Sequence, residues 1–116
     1  MTDCIFCKII KGEIPAKKVY EDKSVIAIYD INPKAPVHIL IIPKKHISSL
    51  MEINKGDKNL IGGIILRLKT VAQELGLDKS GYKVVVNNGP GSGQLVFHLH
   101  FHLLGGWITK AGGWRV

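Results

Sequence analysis

The stretch His98-Leu99-His100-Phe101-His102-Leu103-Leu104, followed at once by Gly105-Gly106, sets the frame for the rest of the chain. Successive side chains of an extended strand point to opposite faces, so one face carries three imidazoles and the other carries Leu99, Phe101 and Leu103. The apolar face belongs in a core; the opposite face is open to chemistry. Three of the chain's five histidines sit in this alternation, which packing alone does not explain. Two chemistries fit it. Three imidazoles can hold a metal and leave one position for water, or one imidazole can act as a nucleophile while its neighbours fix its tautomer and donate to a substrate oxygen.

Upstream of the triplet, Tyr82-Lys83-Val84-Val85-Val86-Asn87 reads as a strand that runs into Asn88-Gly89-Pro90-Gly91-Ser92-Gly93-Gln94. This loop has neither the lysine of a P-loop nor a long helix behind it. Its glycines still let backbone N–H groups approach an anion closely, which would place a phosphate beside His100. From about Asp57 to Leu75, apolar residues recur at helical spacing, with Gly76 as the stop. Gly62-Gly63 inside this long helix lowers helix propensity, and either close packing against another backbone, such as a partner subunit's helix, or simple tolerance accounts for it.

Working further toward the N-terminus, His38-Ile39-Leu40-Ile41-Ile42-Pro43 is apolar nearly throughout and reads as a central strand covered on both faces. His38 at its start needs a partner if buried, and His46 just beyond it has no evident role in the local sequence. Lys18–Glu21 and Ser24–Tyr29 read as two strands joined by a tight turn at Asp22-Lys23. Asp30 follows at a strand end before a loop with two prolines, where its carboxylate can accept from a sugar diol or cap the loop. Cys4-Ile5-Phe6-Cys7 opens a short apolar segment ending near Gly12. Two cysteines in a reducing compartment disfavour a structural disulfide, leaving half of a zinc site or two buried thiols.

The 116 residues suffice for a single domain, 1–116, with one core. Sixteen lysines and arginines against nine acidic residues give a net charge of +7. Fourteen of those sixteen are lysines scattered along the chain, with no basic stripe interleaved with aromatics, so no nucleic-acid partner is expected. Such a surface still favours the approach of a small phosphorylated ligand. No apolar run is long enough to span a bilayer, and the start of the chain lacks a signal-peptide layout; the expectation is a cytoplasmic protein that does not engage membranes.

His98 through Leu104 matches in full the His-x-His-x-His-apolar-apolar motif of the histidine triad proteins, and the chain resembles that family over most of its length. The resemblance extends through Cys4–Ile10, Glu13-Ile14-Pro15, Tyr20-Glu21-Asp22, Asp30-Ile31, Ala35–His38, Ile42–His46, Asn87 and Gly93-Gln94, and is greatest to the Hint branch. It implies an α+β fold with a five-stranded antiparallel sheet, one long helix and a short N-terminal helix, the sheet continuing across a homodimer. It also implies that His100 attacks the α-phosphorus of a purine nucleotide to form a nucleotidyl-histidine, that His102 donates to a phosphate oxygen, and that His38 supports the nucleophile. Asn87, Gly93 and the backbone of Gln94, Leu95 and Val96 would hold the phosphate, Asp30 the ribose hydroxyls, and Phe6, Ile9, Ile14, Ile31 and Leu40 the base and ribose. Cys4, Cys7, His46 and His98 would bind a structural zinc, and catalysis itself would need no metal.

The chain departs from the family pattern at Leu95, where a polar residue, often serine, is common, at Trp107, where arginine is common, and over Ala111–Val116, including Trp114. The activity implied is hydrolysis of the P–N bond in purine nucleoside 5′-phosphoramidates. Hydrolysis of dinucleoside polyphosphates, a nucleotide-binding scaffold with vestigial activity, and a zinc hydrolase using the triplet as ligands are the competing readings.

Overall fold

The computed structural model describes residues 3–108. Its backbone forms a five-stranded antiparallel sheet with strand order β1-β2-β3-β5-β4, built from β1 (Lys18–Glu21), β2 (Val25–Tyr29), β3 (Val37–Pro43), β4 (Tyr82–Val85) and β5 (Phe101–Gly105). Three helices accompany it: α1 (Ile5–Ile10), α2 (Lys58–Glu74) and α3 (Leu77–Ser80). Among the described residues no helix is long and apolar enough to cross a membrane. The Ala111–Val116 departure noted above lies outside the described residues.

β3 is buried along almost its whole length because both of its faces are covered, as its unbroken apolar run predicts. On one side Ile39 and Ile41 join Leu99, Phe101 and Leu103 against Ile64, Leu68 and Val71 of α2. On the other, Leu40 and Ile42 pack with Ile26 and Ile28 against Phe6 and Ile9 of α1. The helix stripe and the strand alternation therefore meet in the larger cluster. The smaller cluster covers only part of its face, and the uncovered remainder is where His38, His100 and His102 stand.

Two local results differ from the sequence expectation and a third narrows it. The ladder of β5 begins at Phe101 rather than His98, because the β3 register, Ile41 opposite Phe101, brings Pro43 level with Leu99. Proline has no N–H to offer a ladder, and the Leu99 N–H instead donates to the Ile47 carbonyl at 2.6 Å. β4 likewise ends at Val85, two residues short of Asn87. Inside α2, neither glycine lies against another backbone of this chain. A side chain at Gly62 would meet nothing within 4 Å, and one at Gly63 would strike the Arg67 guanidinium, which reaches across to Asp22 at 2.7 Å. Asp22 in turn fixes the β1–β2 turn by accepting from the backbone N–H groups of Ser24 and Val25 and from the Tyr20 hydroxyl.

Candidate active site

Two groups of histidines flank α1, one on each side of Phe6. In the first, His38 on β3 and His100 and His102 on the approach to and within β5 face a cavity of about 780 Å³. The Nδ1–H of His100 donates to the His98 carbonyl at 2.7 Å, so a neutral ring presents its Nε2 lone pair elsewhere. No described residue takes that lone pair. Phe6 stacks edge-on against the ring with centroids 5.0 Å apart and so limits its rotation.

A second chain of contacts fixes His102. The Lys34 backbone N–H donates to Nδ1 of His38 at 3.0 Å, which leaves the His38 proton on Nε2. That Nε2–H lies 2.9 Å from Nδ1 of His102, so His102 accepts there and carries its own proton on Nε2. One ring thus offers a lone pair and its neighbour, 5.0 Å away between centroids, offers a donor. Asp30 Oδ2 stands 3.5 Å from His38 Nε2, and its Oδ1 accepts from the Asn32 N–H at 2.8 Å. Asp30, His38 and His102 together have the composition of a metal site, but the Lys34 N–H already occupies the His38 Nδ1 lone pair and puts a proton where a cation would sit.

Burial is the main cause that lowers the proton affinity of all three rings below an ordinary histidine. His102 drops furthest, to about 4, because the neighbouring His100 and His38 add to its burial. For all three rings the carboxylate of Asp30 pulls in the opposite direction. All three rings are therefore neutral near pH 7, the state in which one can be a nucleophile and another a single-proton donor.

Most residues singled out in the sequence line this cavity. Phe6, Ile9, Ile14 and Leu40 supply its apolar floor, Asp30 and Ile31 one end, and Asn87, Gly93, Leu95 and Val96 the other. Gln94 is not part of the wall. It is buried behind the loop, accepting from the Gly89 N–H and donating to the Ser48 and Val96 carbonyls, while its own N–H bonds to the Gly89 carbonyl. It shapes the loop that Gly93 turns with a positive φ of 93°. The Asn87 amide also serves this loop, donating to the Ser92 carbonyl at 2.8 Å. His38 contacts His102 directly, so its support for His100 passes through that ring. The groups that set the tautomers are backbone atoms at Lys34, Pro43 and His98, which carry no sequence signal of their own.

The second group brings Cys4, Cys7, His46 and His98 together with all four donor atoms within 4.8 Å of one another. Cys4 Sγ lies 3.3 Å from His98 Nδ1, Cys7 Sγ 3.3 Å from His46 Nδ1, and the two Nδ1 atoms are 3.1 Å apart. A zinc tetrahedron with Zn–N near 2.0 Å and Zn–S near 2.3 Å separates its ligands by roughly 3.3–3.8 Å. The His98 Nε2–H donates to the Pro43 carbonyl at 2.7 Å, which turns its Nδ1 lone pair toward the sulfurs, the outer-sphere arrangement of a metal-bound imidazole. Without a cation, burial and the adjacent Cys4 push the Cys7 thiol up, and a bound Zn²⁺ reverses that balance. The four residues fit a closed structural zinc site.

Comparison with known proteins identifies the family. The model of the HIT domain family matches residues 11–107. A HIT family hydrolase from Clostridium thermocellum is 48% identical and superposes with a TM-score of 0.92, covering 100% of this chain and 99% of that one. A histidine triad nucleotide-binding protein from Candida albicans is 40% identical, with a TM-score of 0.81 over 94% of this chain and 85% of its own. A Zn-bound histidine triad family protein from Mycobacterium smegmatis is 31% identical, with a TM-score of 0.80 over 98% and 82%. The chain belongs to the HIT domain family.

Proposed function

We propose that this protein is a hydrolase that cleaves the P–N bond of purine nucleoside 5′-phosphoramidates, AMP joined to an amine or to lysine, by way of a nucleotidyl-histidine at His100. The observation that carries the reading is the pair of complementary tautomers: a free Nε2 lone pair on His100 beside an Nε2–H donor on His102 in one cavity. The base and ribose lie on Phe6, Ile9, Ile14, Ile31 and Leu40, with the diol at Asp30. His100 Nε2 bonds to the α-phosphorus, the P–N bond breaks with its electron pair on nitrogen, and the departing amine takes a proton from solvent. Water then bonds to phosphorus and gives up a proton, and the imidazole recovers its pair, releasing AMP. His102 donates to a non-bridging oxygen as charge gathers there, helped by Asn87 and the backbone near Leu95 and Val96. The hydrolase and the nucleotide-binding protein among the relatives support the class of reaction and ligand.

Zinc at Cys4, Cys7, His46 and His98 holds α1 against the approach to β5 and supplies no step of the reaction. The protein works as a homodimer in the cytoplasm. Supporting the dimer are the open edge of β4 with Tyr82 and Val84 exposed, and the exposed Ile65 and Leu66 beside Gly62 on α2.

The test is incubation with adenosine 5′-phosphoramidate, acid quench and intact-mass measurement, beside His100→Ala. The expected result is a transient adduct of one AMP in the unaltered protein only, with AMP released. Full turnover by His100→Ala rules the mechanism out.

A further inference from the structure

Three large apolar side chains beside the cavity are left in water: Leu95, Phe97 and Ile5 are 88%, 49% and 42% exposed. Singly such residues are ordinary; gathered around one depression they mark a surface that gains by being covered. With Asp3, Cys4 and Val96 they line a second hollow of about 330 Å³, and Ile5, Leu95 and Val96 belong to the walls of both spaces. The hollow therefore adjoins the main cavity along the loop that faces the proposed phosphate position.

We infer that this hollow receives the leaving group and selects amines bearing an apolar substituent, an aryl or branched alkyl group, over ammonia and over anionic leaving groups. The inference rests on the phosphoramidase reading. Displacement in line sends the leaving group to the side of the phosphorus away from the entering His100 Nε2, and the nucleoside already fills the cavity floor. The space left to a substituent on nitrogen is the mouth beside Leu95, where the second hollow begins. Among the described residues its lining is mostly hydrocarbon, and Asp3 is the one acidic residue there. A carboxylate on an apolar rim repels the phosphates of a second nucleotide and leaves a neutral aryl amine unopposed. Covering Leu95 and Phe97 removes apolar surface from water only when such a substituent is present.

The experiment compares adenosine 5′-phosphoramidate, its N-benzyl derivative and a diadenosine polyphosphate as substrates of the unaltered protein, Leu95→Ser and Phe97→Ala. Calorimetric binding of the first two compounds to His100→Ala, with and without Leu95→Ser, accompanies the kinetics. The expected result is kcat/KM about tenfold higher for the benzyl compound than for the unsubstituted one, with about tenfold tighter binding, both ratios collapsing toward one in Leu95→Ser. The diadenosine compound is the poorest substrate, and Phe97→Ala lowers kcat/KM only for the benzyl compound. Equal constants for the two phosphoramidates, or a preference that survives both substitutions, overturns the inference. Benzyl-selective, Leu95-dependent binding with no turnover would instead sustain the hollow's role and refute the proposed reaction. Because Leu95 is exposed, its replacement leaves the fold intact, which the melting temperature checks.

Discussion

Replacing His38 separates the donor role of His102 from its mere presence. His38 Nε2 stands 2.9 Å from His102 Nδ1, and the Lys34 N–H at 3.0 Å keeps the His38 proton on that nitrogen. In His38→Leu the ring of His102 loses the group that pins its proton to Nε2. It then either turns a lone pair toward the phosphate oxygen or keeps a buried acceptor unpaired. A hydrogen bond to a charged group is worth about 1.5–3 kcal/mol, so kcat should fall roughly 10- to 150-fold. KM should change little if the bond strengthens only as charge develops. In His38→Gln the side-chain N–H can take the place of the imidazole Nε2–H, and the rate should return to within about tenfold of the unaltered protein. The assay is steady-state hydrolysis of adenosine 5′-phosphoramidate, with melting temperatures to confirm that both variants fold. If His38→Leu is as fast as the unaltered protein, or His38→Gln no faster than His38→Leu, the tautomer argument is refuted.

Gly62→Ala distinguishes an isolated helix face from a packed one. In a monomer it should raise stability by about 1 kcal/mol, since nothing lies within 4 Å of the new methyl group; in the proposed dimer it should weaken association, and sedimentation with denaturant melts reads both. Cys7→Ser should lower bound zinc from about one per chain and reduce the melting temperature by several degrees, with metal analysis and calorimetry as the measurements. Lowering pH should destabilise the protein. His38, His98, His100 and His102 all bind protons more weakly when folded than when unfolded. The unfolded chain therefore takes up more protons below about pH 6.5, and stability falls from there toward pH 4, where His102 itself titrates. A urea midpoint that is flat between pH 7 and pH 5 contradicts this.

Where periodicity was strong the sequence was readable. Of the stripe from Leu60 to Leu75, Ile64, Leu68, Val71 and Ala72 are the face that α2 buries while Ile65 is left exposed, and Leu99, Phe101 and Leu103, on the approach to and within β5, turn toward that face. Less readable were features set by one strand acting on another. That β5 pairs only from Phe101 follows from its register with Pro43, which local sequence does not display. Helix α3 is a single turn after a left-handed Gly76, too short for a periodic signal. The same limit governs the site. His46 meets Cys7 across 39 positions and His38 meets His102 across 64, distances that residue type can suggest only through a family pattern. Gln94 sits in the glycine-rich loop, yet its side chain points into the protein because three backbone groups there need partners.

His98 belongs to both halves of the site at once. Its Nδ1 faces the two sulfurs, while its carbonyl oxygen, two bonds along its own backbone from the Cα, receives the proton of His100. A displacement of the ring would thus be transmitted through one residue to the group that orients the proposed nucleophile. An ion with longer bonds to sulfur and nitrogen would shift that carbonyl, and through it the proposed nucleophile, from a position that does not meet the substrate. With a metal bound, the cluster would act as a tensioning peg for the His100 ring, through the carbonyl that the ring's Nδ1–H meets.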